Sequence, residues 1–253
     1  MARNPDCADC QGTGWREVER DGLRAVVRCG CTVAAPTADR LERSGVPPRF
    51  VEASFDNFRC GHPGANPIEY NQLTAAIMLA KKFAAEYPLG GKKGLLLRGR
   101  SGVGKTHLAV AALRTLLDRG FEGVFFDYQT LLQRIRESYD AFAGSATRAA
   151  YRAALDAEVL LLDDLGAHRA TDWVYDTVTA IINERYNSEK AILVTTNLPI
   201  EKLGETTLEA DAGAKDRTFR DRLEERIGER GVSRLIEMCR VVSIDARDYR
   251  LRR

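Results

Sequence analysis

The sequence predicts a layered α/β protein, a parallel sheet flanked by helices, with a small cysteine-bearing module ahead of it. Three observations carry that expectation. Short apolar runs at 94–98, 123–127, 159–163, 191–195 and 241–244 have the continuous apolarity of strands buried on both faces. Helical stretches fall between them at 106–118, 129–142 and 172–187, and strands alternating with helices build such a layered domain. Four of the six cysteines crowd into the first thirty-one residues and set that segment apart.

Composition bounds the rest. A chain of 253 residues with 44% hydrophobic and 29% charged residues can bury one sizeable core and is not broadly disordered. No apolar stretch is long enough to span a bilayer, and no basic segment followed by an apolar run opens the chain, so a cytoplasmic protein with no membrane partner is expected. The 38 basic and 36 acidic residues leave a net charge of +2. That is too near neutrality for a nucleic-acid coat, and any such surface must be a local patch.

At the N-terminus, Cys7, Cys10, Cys29 and Cys31 form C-x2-C, eighteen intervening residues, then C-x-C. Between the pairs, 14–18 and 23–28 read as two short strands with Asp21-Gly22 as the hairpin turn. A hairpin this small has almost no core and needs a staple. Thiols stay reduced in the cytosol, so the cluster reads as metal ligation, and four thiolates from two knuckles suit tetrahedral Zn²⁺. An iron–sulfur cluster or free thiols are the alternatives. The expected division is a zinc-ribbon-like module at 1–36, a linker at 37–50 punctuated by Gly45-Val46-Pro47-Pro48, and the α/β domain at 51–253. Cys60 and His62 look like a half-site without partners, and Cys239 like core packing on an apolar helix face.

The first strand of the α/β part runs into Gly99-Arg100-Ser101-Gly102-Val103-Gly104-Lys105-Thr106, the phosphate-binding loop in its strand–loop–helix setting. Gly99, Gly102 and Gly104 let backbone N–H groups turn in around phosphate oxygens. Lys105 offers a point charge to the β and γ phosphates and Thr106 a hydroxyl to Mg²⁺, while the following helix points its positive end at the anion.

The third strand ends in Asp163-Asp164. Carboxylates at such a tip lie beside the phosphate loop. Asp163 is the candidate Mg²⁺ ligand, and Asp164 either orients the attacking water or is a solvated strand end. Asn197, after Thr195-Thr196, either reaches the γ phosphate and the water or simply ends its strand. Arg230 and Arg234 are four apart and share a face if helical. They are either a guanidinium offered to a neighbour's nucleotide or a solvated basic face.

Taken in order, these motifs resemble the AAA+ P-loop NTPases, and more narrowly the DnaC/DnaI helicase loaders. Gly45-Val46-Pro47-Pro48-Arg49-Phe50 followed by Ser54-Phe55-Asp56-Asn57-Phe58, Leu161-Leu162-Asp163-Asp164-Leu165-Gly166, Thr195-Thr196-Asn197-Leu198 and Gly228-Glu229-Arg230…Ser233-Arg234-Leu235 are similar to that family's motifs. The resemblance implies an ATPase, with Asn197 as sensor 1 and Arg234 as the arginine finger, Arg230 being the weaker candidate. It also implies ATP and Mg²⁺ as ligands, ATP-dependent homo-oligomers, and a replicative hexameric DNA helicase and single-stranded DNA as partners. The cysteine module would be the helicase-docking part.

Arg134, Arg136 and Tyr139 on the 129–142 helix are the candidate DNA face, or else a solvated amphipathic surface. Two departures stand out. Asp164 occupies a position where most AAA+ proteins have Glu, although loaders often carry Asp. Only nine residues follow Ile244, too few for a helical lid with its sensor-2 arginine, so slow, neighbour-dependent hydrolysis is expected. The IstB-like transposition ATPases share the fold and are the alternative, but they usually show Asp-Glu and lack the cysteines. A small-molecule P-loop kinase would need an acceptor pocket and a mobile lid, and no segment offers one.

Overall fold

The computed structural model describes residues 6–20, 23–29, 31, 37–61, 64, 66–89, 91–137, 145–168, 171–200 and 222–251. Strands β1 (Trp15–Arg20) and β2 (Leu23–Arg28) pair antiparallel, with Trp15 opposite Arg28 and Arg20 opposite Leu23. The Asp21-Gly22 turn expected between them lies outside the described residues.

The stretch expected as a linker has structure of its own. Helix α1 (Thr37–Arg43) packs on a later helix, burying Arg40, whose Nε donates to Leu117 O at 2.9 Å. Just beyond it, Ser44 O accepts from Phe125 N at 2.6 Å. A 3₁₀ turn, Pro48–Phe50, then leads to α2 (Pro67–Glu86). No apolar pattern singled out this helix, but its start is written in the sequence. Asn66 caps Glu69 N at 3.1 Å, Pro67 takes the first helical position, and the Asn66 amide donates back to Glu69 Oε2 at 3.2 Å.

From there strand and helix alternate: β3 (Gly94–Gly99), α3 (Lys105–Asp118), β4 (Gly123–Asp127), α4 (Tyr128–Glu137), α5 (Ser145–Asp156), β5 (Val159–Asp163), α6 (Asp172–Asn187), β6 (Ala191–Thr196), α7 (Leu223–Met238) and β7 (Cys239–Ile244). A last 3₁₀ turn covers Tyr249–Leu251. The main sheet is parallel throughout, in the order β4-β5-β6-β3-β7.

The inner strands β3, β5 and β6 are buried on both sides, as continuous apolarity requires, whereas the edge strands β4 and β7 are only partly so. Leu95 and Leu97 face the core under α2 and α3, while Leu96 faces the one under α4 to α7. Arg134 and Arg136 are exposed on α4, whereas Tyr139 and the rest of the stretch expected as helix to 142 lie outside the described residues. Cys239 is a correction: it opens β7 instead of lying on a helix face, and it is buried.

Helix α7 breaks its own geometry at Gly228, where φ is 79° and ψ 154°. A Cβ there would also collide with the Tyr175 hydroxyl, so the kink is built for glycine. Among the described residues, no helix is long and apolar enough to cross a membrane.

Candidate active site

A cleft of about 470 Å³ opens at the C-terminal ends of β3, β4, β5 and β6, where ligands sit in parallel sheets. The phosphate loop forms its floor. Gly102 and Gly104 hold φ of 76° and 97°, a left-handed region that other residues enter at a cost. Gly104 has a second reason to be glycine, since a Cβ would sit 2.5 Å from the Phe58 ring. Gly99 ends β3 just outside the cleft lining.

The charged residues are wired together. Lys105 Nζ donates to Arg100 O at 2.8 Å and to Asn197 Oδ1 at 2.5 Å. Asn197 Nδ2 in turn donates to Asp164 Oδ1 at 2.5 Å. Thr106 Oγ1 donates to Asp163 Oδ1 at 2.9 Å. The Thr195 hydroxyl donates to the same carboxylate at 2.6 Å while accepting from Asp164 N at 2.8 Å. Asp164 takes a left-handed φ of 58°, which an Asp tolerates better than most residues and which begins the turn after β5.

Burial pushes both carboxyls above the usual carboxylate range. At Asp163 the Thr195 and Thr106 hydrogen bonds pull the other way, and at Asp164 the Lys105 charge does. Burial lowers Lys105 as well, opposed by Asp164 and Asp163. A buried lysine beside two reluctant carboxylates leaves this pocket receptive to an anion carrying a divalent cation.

Several lining residues were not singled out from the sequence. Asp127 ends β4 opposite Asp163, and its strand-tip position is the same signal that exposed Asp163. Thr195 showed itself only as one of two hydroxyls ending an apolar strand. Arg49, Phe58 and Arg59 come from the segment before α2. The ring of Phe58 meets His107 edge-on at 5.3 Å, and His107 Nε2 donates to Ser54 O at 2.9 Å.

The residues after β7, expected to be too few for a helical lid with its sensor-2 arginine, nevertheless bring arginines to this pocket. Tyr249 N donates to Gly102 O at 2.9 Å, Arg250 Nη2 donates to Ser101 Oγ at 2.9 Å, and Arg247, Tyr249 and Arg250 line the cleft. The turn is anchored by the buried Glu69 carboxylate, which accepts from Arg247 N at 3.0 Å.

Arg230 and Arg234 do not line the cleft. They follow the kink in α7, Arg230 exposed and Arg234 half-buried against α6. A guanidinium there is not placed to serve its own chain's pocket.

Apart from this site, the Sγ atoms of Cys7, Cys10, Cys29 and Cys31 all lie within 4.8 Å of one another, with Cys7–Cys29 at 3.5 Å and Cys10–Cys31 at 3.3 Å. Tetrahedral zinc with bonds of about 2.3 Å spaces its sulfurs about 3.8 Å apart, so the quartet fits that ion. Cys60 joins no cluster among the described residues, and His62 lies outside them.

Comparison with known proteins agrees with this geometry. The family model described as IstB-like ATP binding protein matches residues 68–253. The phage-like element PBSX protein XkdC of Bacillus subtilis is 30% identical over 208 residues, covering 78% of this chain and 74% of that protein. The replicative helicase loader DnaC of Escherichia coli K12 is 22% identical over 163 residues, covering 64% of this chain and 62% of the loader's length. A crystal structure of the DnaC helicase loader superposes with a TM-score of 0.59 at 30% identity, covering 78% of this chain and 99% of that one.

Proposed function

Because this chain belongs to the IstB-like ATP-binding family and is an AAA+ ATPase related to the DnaC and DnaI loaders, we propose that it loads a replicative hexameric helicase onto single-stranded DNA. ATP bound at subunit interfaces would control assembly and release. The observation that carries this is the split of the machinery: phosphate loop, carboxylates and Asn197 share one cleft, while Arg230 and Arg234 stand apart on α7.

In this reading Gly102, Gly104 and Lys105 hold the triphosphate of ATP, and Gly99 starts the loop that wraps it. Mg²⁺ held at Thr106 and Asp163 would neutralise its oxygens. Asp164 orients or deprotonates the water, and Asn197, already bonded to both Lys105 and Asp164, senses the γ phosphate. Arg250, ion-paired with Asp248 at 2.7 Å, ties the C-terminal turn to the phosphate loop through Ser101. Arg234, with Arg230 secondary, completes the pocket of the next protomer, so turnover is slow until protomers meet on DNA or partner. The exposed Arg134 and Arg136 on α4 attract DNA phosphates. The module at 1–36 docks the helicase, since four thiolates leave zinc no open position for chemistry, and the body at 51–253 hydrolyses ATP in the cytoplasm.

Arg234→Ala is expected to lower DNA-stimulated turnover by about 10³-fold or more while ATP binding stays near normal. Full-speed turnover by that variant, or by a strict monomer saturated with nucleotide and oligonucleotide, would sink the shared pocket. The family match favours one second reading, an IstB-like transposition ATPase that remodels duplex DNA. Capture of a hexameric helicase in an ATP-dependent manner supports loading, and stimulation by duplex DNA without helicase capture supports remodelling.

A further inference from the structure

The surroundings of Arg234 are unusual for a structural arginine. Its guanidinium donates to the Asn183 side-chain oxygen on α6 and lies 5.5 Å from the centre of the Tyr186 ring, one turn further along that helix. It takes part in no ion pair among the described residues. Yet a carboxylate is close at hand. Glu237 follows Arg234 by three positions, where side chains on a helix meet. That carboxylate is turned to another partner instead: the Tyr186 hydroxyl donates to its Oε1 at 2.7 Å.

The α6–α7 contact does not need this quartet for adhesion. Val178, Ile181 and Ile182 are already buried in one core cluster with Ile227, Val232 and Leu235. What the quartet supplies is a guanidinium held in place by a neutral amide and an aromatic face, with its charge left unspent.

We propose that Asn183 and Tyr186 are positioning residues for Arg234, holding it at the protomer surface in a neutral cradle while the Tyr186 hydroxyl keeps the Glu237 carboxylate from neutralising it. The inference rests on the assignment of Arg234 to the neighbouring pocket. A triphosphate arriving on the next protomer then meets a preorganised, uncompensated cation, where an ion-paired arginine would first have to shed its partner. Neither side chain touches nucleotide, and both act through the arginine.

The test is a variant series with the full-length chain, read by DNA-stimulated phosphate release, ATP binding and thermal melting. Tyr186→Phe keeps the ring but frees Glu237 to pair with Arg234, and turnover is expected to fall about three- to tenfold with ATP binding and melting temperature unchanged. Adding Glu237→Gln to Tyr186→Phe removes the competing charge and should restore turnover, a recovery that a packing defect would not show. Asn183→Asp introduces a carboxylate at the cradle itself and is expected to lower turnover by tenfold or so.

Mixing separates the cradle from the arginine. Asp164→Asn protomers, which retain Arg234, should rescue Arg234→Ala protomers, and the same donor carrying Asn183→Asp should not. Wild-type turnover by Tyr186→Phe, no recovery in the double variant, or undiminished rescue by the Asn183→Asp donor would each overturn the cradle while leaving the trans arginine standing. Failure of the plain donor to rescue would overturn the trans arginine, and the cradle with it.

Discussion

Asp163 concentrates the electrostatics of the site. Its carboxyl is buried, touches two hydroxyls, and lies in the field of Asp164 and Asp127. Its folded pKa is raised mainly by burial, so folding favours the protonated form. That contribution to stability is present at pH below the unfolded value and is lost as pH rises through the raised folded value. A divalent cation with nucleotide reverses the cost by giving the ionised carboxylate a partner. The stabilisation by Mg²⁺ and ATP is therefore expected to be larger at neutral pH and to shrink as pH falls through the raised carboxylate range. In Asp163→Asn, the nucleotide-free protein should melt higher than wild type at neutral pH, and the gain from Mg²⁺ and ATP should become small and nearly flat with pH. Melting curves with and without Mg²⁺ and ATP across that range check this, and a wild-type pH profile in the variant would contradict it. Lys105 and Thr106 could be read from the strand–loop–helix motif and Asp163 from its place at the tip of an apolar strand, because each signal spans only a few residues. Thr195 could not, since its task depends on the strand beside it.

At the scale of elements, the ends of helices and strands are tied by single buried side chains. Arg185 on α6 is fully buried and donates to Ala154 O at 2.8 Å, Ala157 O at 3.0 Å and Glu158 O at 3.1 Å, and also to Ala191 O. It thus closes the carbonyl end of α5 and joins it to the starts of β5 and β6, where a cation is favoured by the exposed carbonyl dipoles. Burial lowers its pKa to about 10, so the cation persists at neutral pH. Arg185→Leu would strip several buried carbonyls of their partner at once, and a loss of about 3–5 kcal/mol is expected by chemical denaturation. A change below about 1 kcal/mol would mean that water replaces the guanidinium there. Its spacing from Val174, Val178, Ile181 and Ile182 places Arg185 on the apolar face of the helix, but the carbonyls it meets there come from other elements and leave no local trace. The helix itself was legible to the residue because periodicity is local, and the structure adds Thr171 as its cap, accepting from Val174 N at 3.3 Å.

Across the whole molecule, the cysteine hairpin and the α/β body draw on different sources of stability. The body buries two apolar layers, whereas β1 and β2 pair only with each other and depend on the four thiolates. Chelation, or Cys29→Ser, is expected to release one zinc per chain and to abolish helicase capture, while ATP binding and the main melting transition remain. Metal analysis with parallel nucleotide titration checks this, and loss of ATP binding on chelation would show that the two parts are coupled. Between them, α1 is more than a tether: the buried Arg40 and the hydrogen bond from Phe125 N to Ser44 O bind it to α3 and to the edge of β4. Prolines and glycines punctuating that segment suggested a linker, because a short helix whose anchor is a carbonyl 77 positions away leaves no local trace.

By itself the sequence marked the five strands of the main sheet, helices α3 and α6, the phosphate loop, the carboxylates and amide that share its cleft, and the four cysteines that lie together. Each of these follows from spacing within a few residues, or from chemistry that only one residue type supplies. Tertiary structure alone decided the strand order that puts Asp127, Asp163 and Thr195 side by side, the return of Arg247 and Arg250 to the phosphate loop, and the removal of Arg234 from its own cleft to a cradle on α6. Those relations join residues far apart along the chain. Local periodicity reports which side of an element is buried; what it is buried against is settled only when the sheet has formed and its layers have closed.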